Sequence, residues 1–223
     1  MPIELYWARE SPYCWRVQLA LAYKGLAYES RPLDLARQEQ KSPQMRRLTP
    51  RGRVPVLRDG DYVVFESVAI LYYLDRKYPG RPLFGASAEE GAVILRVIEE
   101  FQSYIEPHLQ AVVAAIGPER RPDSPDVVLE HLLAVAGEAR GIEGPLAGSE
   151  WVVGVQPSAA DFVIYPWIEL LRHVLLGPAG TELRARFLPV EVQYPALARW
   201  LARVESLPDL AGTRPAHLID RAS

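Results

Sequence analysis

Before residue 80 the spacing of apolar positions changes several times. Ile3-Glu4-Leu5-Tyr6-Trp7 predicts a short apolar strand. Ser11 then stands as an N-cap and Pro12 at the first helical position, and a helix runs from there to Gly25, a residue suited to the position after a helix end. Val17 and Leu21 lie four apart, as do Trp15 and Leu19, which gives that helix apolar faces. A weak second strand is expected within Leu26 to Leu35, and a polar, Gln- and Arg-rich helix within Ala36 to Leu48. Val54-Pro55-Val56-Leu57 and Tyr62-Val63-Val64-Phe65, separated by Asp59-Gly60, read as a hairpin. Ser67 to Tyr78 reads as a helix with Ile70, Leu71 and Leu74 on one side.

Tyr78-Pro79-Gly80-Arg81-Pro82 breaks this pattern. The later periodicity is helical over about 88–116, 124–140, 158–176 and 195–206, with Pro/Gly clusters around 117–125, 141–148 and 177–180 expected to separate the helices. The predicted architecture is α/β plus all-α. An N-terminal domain at 1–78 has the order strand-helix-strand-helix-strand-strand-helix. A linker at 79–87 follows, and then a helical-bundle domain at 88–223.

Composition narrows the function. A formal net charge of −3 gives no electrostatic case for nucleic acid or an anionic membrane. No apolar run approaches the ~20 residues of a spanning helix. The start, Met1-Pro2-Ile3-Glu4, lacks a basic region and a long apolar stretch, so the expected location is the cytoplasm. A single cysteine excludes a disulfide framework and a cysteine-based zinc site, and it fits a reducing compartment. No metal is expected.

That cysteine carries the most informative motif, Ser11-Pro12-Tyr13-Cys14. With cysteine at both ends, this stretch would be a dithiol redox site. One cysteine cannot form an internal disulfide, so dithiol cycling is excluded. A hydroxyl at a helix N-terminus remains, where a thiolate is held without a covalent bond. The motif points to an external thiol, glutathione first among them. A free thiol with a pKa of ~8.5 is only about 3% thiolate at pH 7. Lowering that value by ~2 units corresponds to ~2.7 kcal/mol of anion stabilisation. One hydroxyl hydrogen bond together with the helix N-terminal field is of that order.

Four ordered motifs then carry a resemblance. They are Ser11-Pro12-Tyr13-Cys14-Trp15-Arg16-Val17, Arg53-Val54-Pro55-Val56-Leu57, Glu66-Ser67, and Ser158-Ala159-Ala160-Asp161. Together the chain resembles a cytosolic glutathione transferase over nearly its whole length, with a thioredoxin-like first domain. Cys14-Trp15-Arg16-Val17 through Lys24-Gly25, with Ile105-Glu106-Pro107, is most similar to the zeta class, which includes maleylacetoacetate isomerases. That class carries a Ser/Cys-rich run before its Trp-Arg, where this chain has Pro12-Tyr13.

The resemblance implies roles, each beside a plainer reading. Ser11 donates to the glutathione thiolate, or it is only a helix cap. Tyr13 is a glutathione neighbour and an alternative thiolate donor. Cys14 is a small buried hydrophobe, or a thiol that forms a mixed disulfide. Pro55 is cis in the family and exposes the backbone of Val54 to the cysteinyl part of glutathione, in the manner of an added strand; the plainer reading is an edge-strand proline. Glu66 and Ser67 take the γ-glutamyl amine and carboxylate at a helix N-terminus, or Ser67 simply caps the helix. Gln40 and Arg53 are candidates for the glycine end. Ser158 and Asp161 have capping-box spacing and read as structural. Tyr104 and His108, four apart on one helix, and Trp167 are candidates for an acceptor pocket, with His108 as a general acid; the alternative is a domain core.

The expected function is glutathione transfer to a small hydrophobic electrophile, in detoxification, by a homodimer implied by the family. Two enzymatic rivals stand beside it. One is a glutathione-dependent cis-trans isomerase of maleylacetoacetate type; the other, a glutathione-dependent reductase, is disfavoured by serine at position 11. A rival of another class is a non-catalytic interaction module on the same fold.

Overall fold

The computed structural model describes residues 2–117, 124–208 and 210–219. The chain forms two compact units, Met1–Phe84 with Leu207–Ser223, and Gly85–Ser206.

In the first unit β1 (Ile3–Trp7), α1 (Pro12–Tyr23), β2 (Tyr28–Pro32), α2 (Pro43–Leu48), β3 (Val56–Asp59), β4 (Tyr62–Phe65) and α3 (Ser67–Lys77) follow in order. The sheet runs β2-β1-β3-β4, with β1 parallel to β2 and both other pairings antiparallel. Neighbouring strand residues face opposite sides. Leu5 and Leu57 are register partners and fully buried, as are Val17, Leu21, Ile70, Leu71 and Leu74 of the packed pair α1 and α3. On the other face Tyr6 and Val56 cluster with Met45 of α2.

Local chemistry sets the ends of α1. The Ser11 side chain caps its start and Pro12 opens its first turn. At its end, Gly25 has φ +67°, Gly25 N–H donates to Ala22 C=O at 2.9 Å, and Leu26 N–H donates to Leu21 C=O at 2.9 Å. This is a Schellman closure that a residue with a Cβ adopts only under strain.

Two expectations for this unit are corrected. The helix expected over Ala36 to Leu48 is only Pro43–Leu48, preceded by a 3₁₀ turn at Glu39–Lys41. The Asp34 carboxylate accepts from the N–H groups of Ala36 and Arg37, which commits that stretch to a turn. The second strand, Tyr28–Pro32, falls within the stretch expected to hold it. In the hairpin, Val54 and Pro55 lie outside the ladder, which starts at Val56; Asp59 pairs with Tyr62, so the loop is Gly60-Asp61 rather than Asp59-Gly60. Gly60 supplies the positive φ such a two-residue loop requires.

After α3, residues 79–84 stay on the first unit. Lys24 Nζ donates to Arg81 C=O, Arg81 donates to Tyr23 C=O, and Leu83 N–H donates to the Asp75 carboxylate. The C-terminal segment returns to the same unit. A 3₁₀ turn at Ala211–Thr213 packs on α1, where the Trp15 indole donates to Thr213 Oγ1 at 3.0 Å.

The second unit contains α4 (Ala88–Glu100), a π-helical turn (Phe101–Ile105), α5 (Glu106–Ile116), α6 (Pro125–Ala147), α7 (Ala159–Leu176), α8 (Val190–Gln193) and α9 (Pro195–Glu205). A last short helix, α10 (Ala216–Ile219), belongs to the C-terminal segment. The central helix is α7, buried without interruption from Ala159 to Leu171. The break expected around 117–125 falls largely on residues 118–123, which lie outside the described residues.

The break expected at 141–148 does not occur, because α6 continues to Ala147 through Gly141, Gly144 and Pro145. Tertiary contacts outweigh the helix-breaking residues here. The buried stripe Val128, Leu132, Val135, Ala139 continues to Leu146, and the Glu143 carboxylate accepts from Ala196 N–H at 2.7 Å and Leu197 N–H at 2.9 Å at the start of α9.

Ser158 and Asp161 form a capping box at the start of α7. Asp161 is fully buried and accepts from Ser158 N–H (2.8 Å), Ser158 Oγ (3.0 Å), Val152 N–H (3.0 Å) and Trp200 Nε1 (2.7 Å). Burial pushes its pKa up against the pull of those donors. Asp161→Ala leaves the donors facing a void and should lower unfolding free energy by about 3 kcal/mol. Asp161→Asn should cost nearly as much, since its amide turns a donor toward donors. Urea unfolding of both variants checks this; an unmoved midpoint for either contradicts it.

Candidate functional site

The predicted residues of the first unit gather around two helix N-termini. At the start of α1, Ser11 Oγ accepts from Cys14 N–H at 3.3 Å, as an N-cap does. Capping uses a lone pair of the hydroxyl and leaves its proton free to donate. Ser11 is partly exposed, so that proton has a solvent-facing acceptor direction as well as the nearby Cys14 sulfur.

Cys14 is fully buried, and its Sγ accepts from Ala8 N–H at 3.4 Å. Burial pushes its thiol pKa up to about 11, against smaller downward pulls from Ser11, Ala8 and Arg16. It therefore has the environment of an inert hydrophobe, not of a reactive thiolate.

At the start of α3, Glu66 occupies the cap position with φ 67° and ψ 117°, a conformation that costs a non-glycine residue on the order of 1–3 kcal/mol. Ser67 is the first helical residue rather than the cap. Its side chain accepts from Arg16 Nη1 at 3.2 Å in a buried contact. Arg16 has no exposed surface, and its guanidinium also lies 4.9 Å from the centre of the Tyr13 ring. One buried cation thus bridges the first turns of α1 and α3.

The loops beside α3 continue the site. Arg51 lies 3.5 Å from the Glu66 carboxylate, and Lys41 Nζ donates to Arg51 C=O at 2.9 Å. Gly52 has φ +55°, and a Cβ there would come within 2.8 Å of Gln40 C=O, so only glycine lets the two loops close. The Gln40 side-chain oxygen is buried without a hydrogen-bond partner among the described residues, an acceptor position left open beside these loops. Arg53 is exposed. The Val54–Pro55 bond is cis, and Val54 packs on the Tyr6–Met45–Val56 cluster.

In the first unit Arg51 pairs with Glu66, Ser67 follows Glu66 and accepts from Arg16, and Gly52 closes against Gln40. Ser11 and Ser67 stand at two helix N-termini, and the Glu66 carboxylate stands at the second of them. Such a surface suits an elongated anion carrying one amine. Arg16, Lys41 and Arg51 are the residues that sequence reading missed. A lone charge between Trp15 and Val17 in an apolar helix was the available signal for Arg16; the ion pair of Arg51 left none.

The three acceptor candidates lie in the second unit. Tyr104 sits in the π-helical turn and is 66% exposed, whereas Trp167 is buried on α7. His108 on α5 meets His131 on α6, with the two Nδ1 atoms 2.8 Å apart. Sequence reading saw no second histidine near His108; the partner stands 23 residues on. Among the described residues no group of three or more His, Cys, Asp or Glu gathers as a metal site. No helix among them is long and apolar enough to cross a membrane.

Comparison with known proteins bears on the family and the fold. The model of the glutathione S-transferase N-terminal domain matches residues 5–82, and that of the C-terminal domain matches residues 94–208. A zeta-class glutathione S-transferase of Euphorbia esula is 31% identical over 217 residues, covering 96% of this chain and 90% of that protein. A probable maleylacetoacetate isomerase of Vibrio cholerae is 29% identical and covers 94% of this chain and 93% of its own length. Among solved structures, a Phanerochaete chrysosporium glutathione transferase with oxidised glutathione aligns with TM-score 0.83 at 25% identity, over 99% of this chain and 97% of that one.

Cys14 yields a prediction in two parts. At pH 8 about 0.1% of a thiol with that pKa is ionised, so native protein should resist alkylation while urea-unfolded protein reacts at one thiol per chain. Because the folded pKa lies above the unfolded value of about 9, Cys14 adds stability that is fully present below pH 9 and lost as pH rises to about 11. The urea midpoint should therefore fall more steeply between those pH values in wild type than in Cys14→Ala. Equal slopes, or rapid native alkylation, contradict the burial argument.

Proposed function

We propose that this chain, which belongs to the glutathione S-transferase family, activates the thiol of glutathione and transfers it to an electrophilic carbon of a hydrophobic acceptor. One observation carries the reading: the partly exposed Ser11 side chain stands at the N-terminus of α1, its oxygen accepting from Cys14 N–H while a hydroxyl is also a donor. The thiol loses its proton to solvent, and Ser11 donates a hydrogen bond to the resulting thiolate. Sulfur then forms a bond to the acceptor carbon, and the leaving group departs with its electron pair. Ser11 is a donor throughout, not a nucleophile.

The remaining parts of glutathione fall on the residues around it. Tyr13 lies beside the thiol. Val54 pairs its backbone with the cysteinyl unit, ahead of the ladder that begins at Val56. Ser67 and the first turn of α3 receive the γ-glutamyl carboxylate, and Glu66 receives the amine. Gln40 and Arg53 serve the glycine carboxylate. Pro55 shapes the turn that presents Val54. Tyr104, His108 and Trp167 of the helical unit are the acceptor-side candidates. We place the enzyme in the cytoplasm as a homodimer acting in detoxification. The single cysteine suits a reducing compartment, and light scattering of the purified chain tests the dimer.

A second reading has its own support. The zeta-class similarity spans nearly the full chain, and relatives named as probable maleylacetoacetate isomerases match over most of it. In that reading the thiolate adds to a double bond, rotation follows, and elimination returns glutathione unconsumed. Chromatography of products separates the two: a conjugate with loss of glutathione, or an isomerised acid with none lost.

The first experiment is ultraviolet difference absorbance of bound glutathione against pH, with wild type beside Ser11→Ala. The wild type should show a thiolate band at pH 7, where free thiol is only about 3% ionised. Ser11→Ala should shift the band upward by about one to two pH units and lower kcat/KM on the order of 10²-fold. Binding of glutathione with the same unshifted thiol in both proteins overturns the proposal in favour of a binding module.

A further inference from the structure

Outside the glutathione-site residues, the least expected contact lies between α5 and α6. The chain has four histidines, and two of them, His108 and His131, bring their Nδ1 atoms to 2.8 Å with ring centres 5.0 Å apart. Both are partly buried. A neutral imidazole carries its proton on one nitrogen and a lone pair on the other. At hydrogen-bond distance, one Nδ1 donates its N–H and the other accepts it with its lone pair.

We propose that the His108–His131 pair is a binding site for a late first-row divalent cation, copper or zinc above all. A cation that takes the place of that proton needs an Nδ1 lone pair from each ring, and the two nitrogens already lie close together. Tetrahedral zinc at ~2.0–2.1 Å from each nitrogen sets them ~3.3 Å apart, so the nitrogens need to separate by ~0.5 Å and the rings to turn until both lone pairs meet the ion. Imidazole selects copper, nickel and zinc over magnesium and calcium, and the usual order of affinity puts copper first. No third histidine, cysteine or carboxylate joins the pair among the described residues, so water completes the coordination and the cation exchanges with solution. Binding moves the donating ring's proton from Nδ1 to Nε2, so that each neutral ring presents an Nδ1 lone pair to the cation.

The consequence is structural. His108 lies beside Leu109 and Val112 on α5, and His131 beside Val128 and Leu132 on α6, where the two helices pack. A cation at this point cross-links them and stabilises the folded chain by mass action. The inference does not rest on the proposed transferase activity.

The test is titration calorimetry of the full chain with copper(II), zinc(II) or magnesium near neutral pH in a non-chelating buffer, with melting temperature as a second readout. Wild type should bind one copper or zinc per chain, with a higher melting temperature in zinc, and should not bind magnesium. His108→Ala and His131→Gln should each weaken binding at least about tenfold, since losing a ligand costs no less than losing its supporting partner. The double variant His173→Ala/His217→Ala should bind as wild type does. Circular dichroism checks that each variant is folded, and His131→Gln keeps a hydrogen-bonding side chain at the helix contact. Absence of binding in wild type, equal binding by His131→Gln, or loss confined to the His173/His217 variant overturns the proposal.

Discussion

A guanidinium with no exposed surface stands between the first turns of α1 and α3, and the candidate site depends on it. Removing a cation from water costs several kcal/mol, so such a group is retained only where directed partners hold it. Arg16 donates to Ser67 and lies over the Tyr13 ring. Its planar fork can do both at once, which the point charge of lysine cannot. The bond fixes the start of α3 against α1, so Ser11 and Ser67 present their helix ends in a set relation within one unit. The same charge adds to the positive ends of both helix dipoles. Scaffold and electrostatics thus come from one side chain.

The second unit uses a buried anion in the corresponding way. Asp161 gathers donors from the segment before α7, from its own cap and from Trp200 on α9. Glu143 gathers the free N–H groups at the start of α9. In both cases a carboxylate satisfies backbone donors that helix geometry leaves without partners. Each unit therefore positions its helices through a few polar contacts set within an apolar core, and each contact is unforgiving because its donors have no water to fall back on.

Where local chemistry decides, the sequence was readable. Ser11, Pro12 and Gly25 mark both ends of α1, and Ser158 with Asp161 marks the start of α7, because caps act within one turn. The stretch from Ala36 to Ser42 misled because its polar composition suits a helix, while one carboxylate, Asp34, captures the backbone in a turn. Gly141, Gly144 and Pro145 misled in the opposite sense, since their helix-breaking tendency of ~1–3 kcal/mol each yields to Leu146 burial and the Glu143 contacts. At the site, Ser11, Val54, Pro55, Glu66 and Ser67 came from motifs. Arg16 stood inside the first motif without a role of its own, and Arg51, like His131 in the second unit, stood in none, because their importance lies in partners that are distant in sequence: Ser67 is 51 residues from Arg16, and His108 is 23 from His131.

The turn that opens α1 holds a hydroxyl and a thiol three residues apart, and burial alone assigns their chemistry. A serine hydroxyl does not ionise in the working pH range, so the partly exposed Ser11 offers a hydrogen-bond donor at every pH and an alkoxide nucleophile at none. The intrinsically stronger nucleophile, Cys14, lies inside the core with its ionised form disfavoured. Exchanging their exposures would put an ionisable sulfur at the helix N-terminus, where the dipole favours thiolate, and would make this turn a site of mixed-disulfide chemistry. The arrangement found keeps the protein's own sulfur out of reach and leaves the helix field for a thiolate brought from outside. The fold places that field at the N-terminus of α1, beside the Ser11 cap.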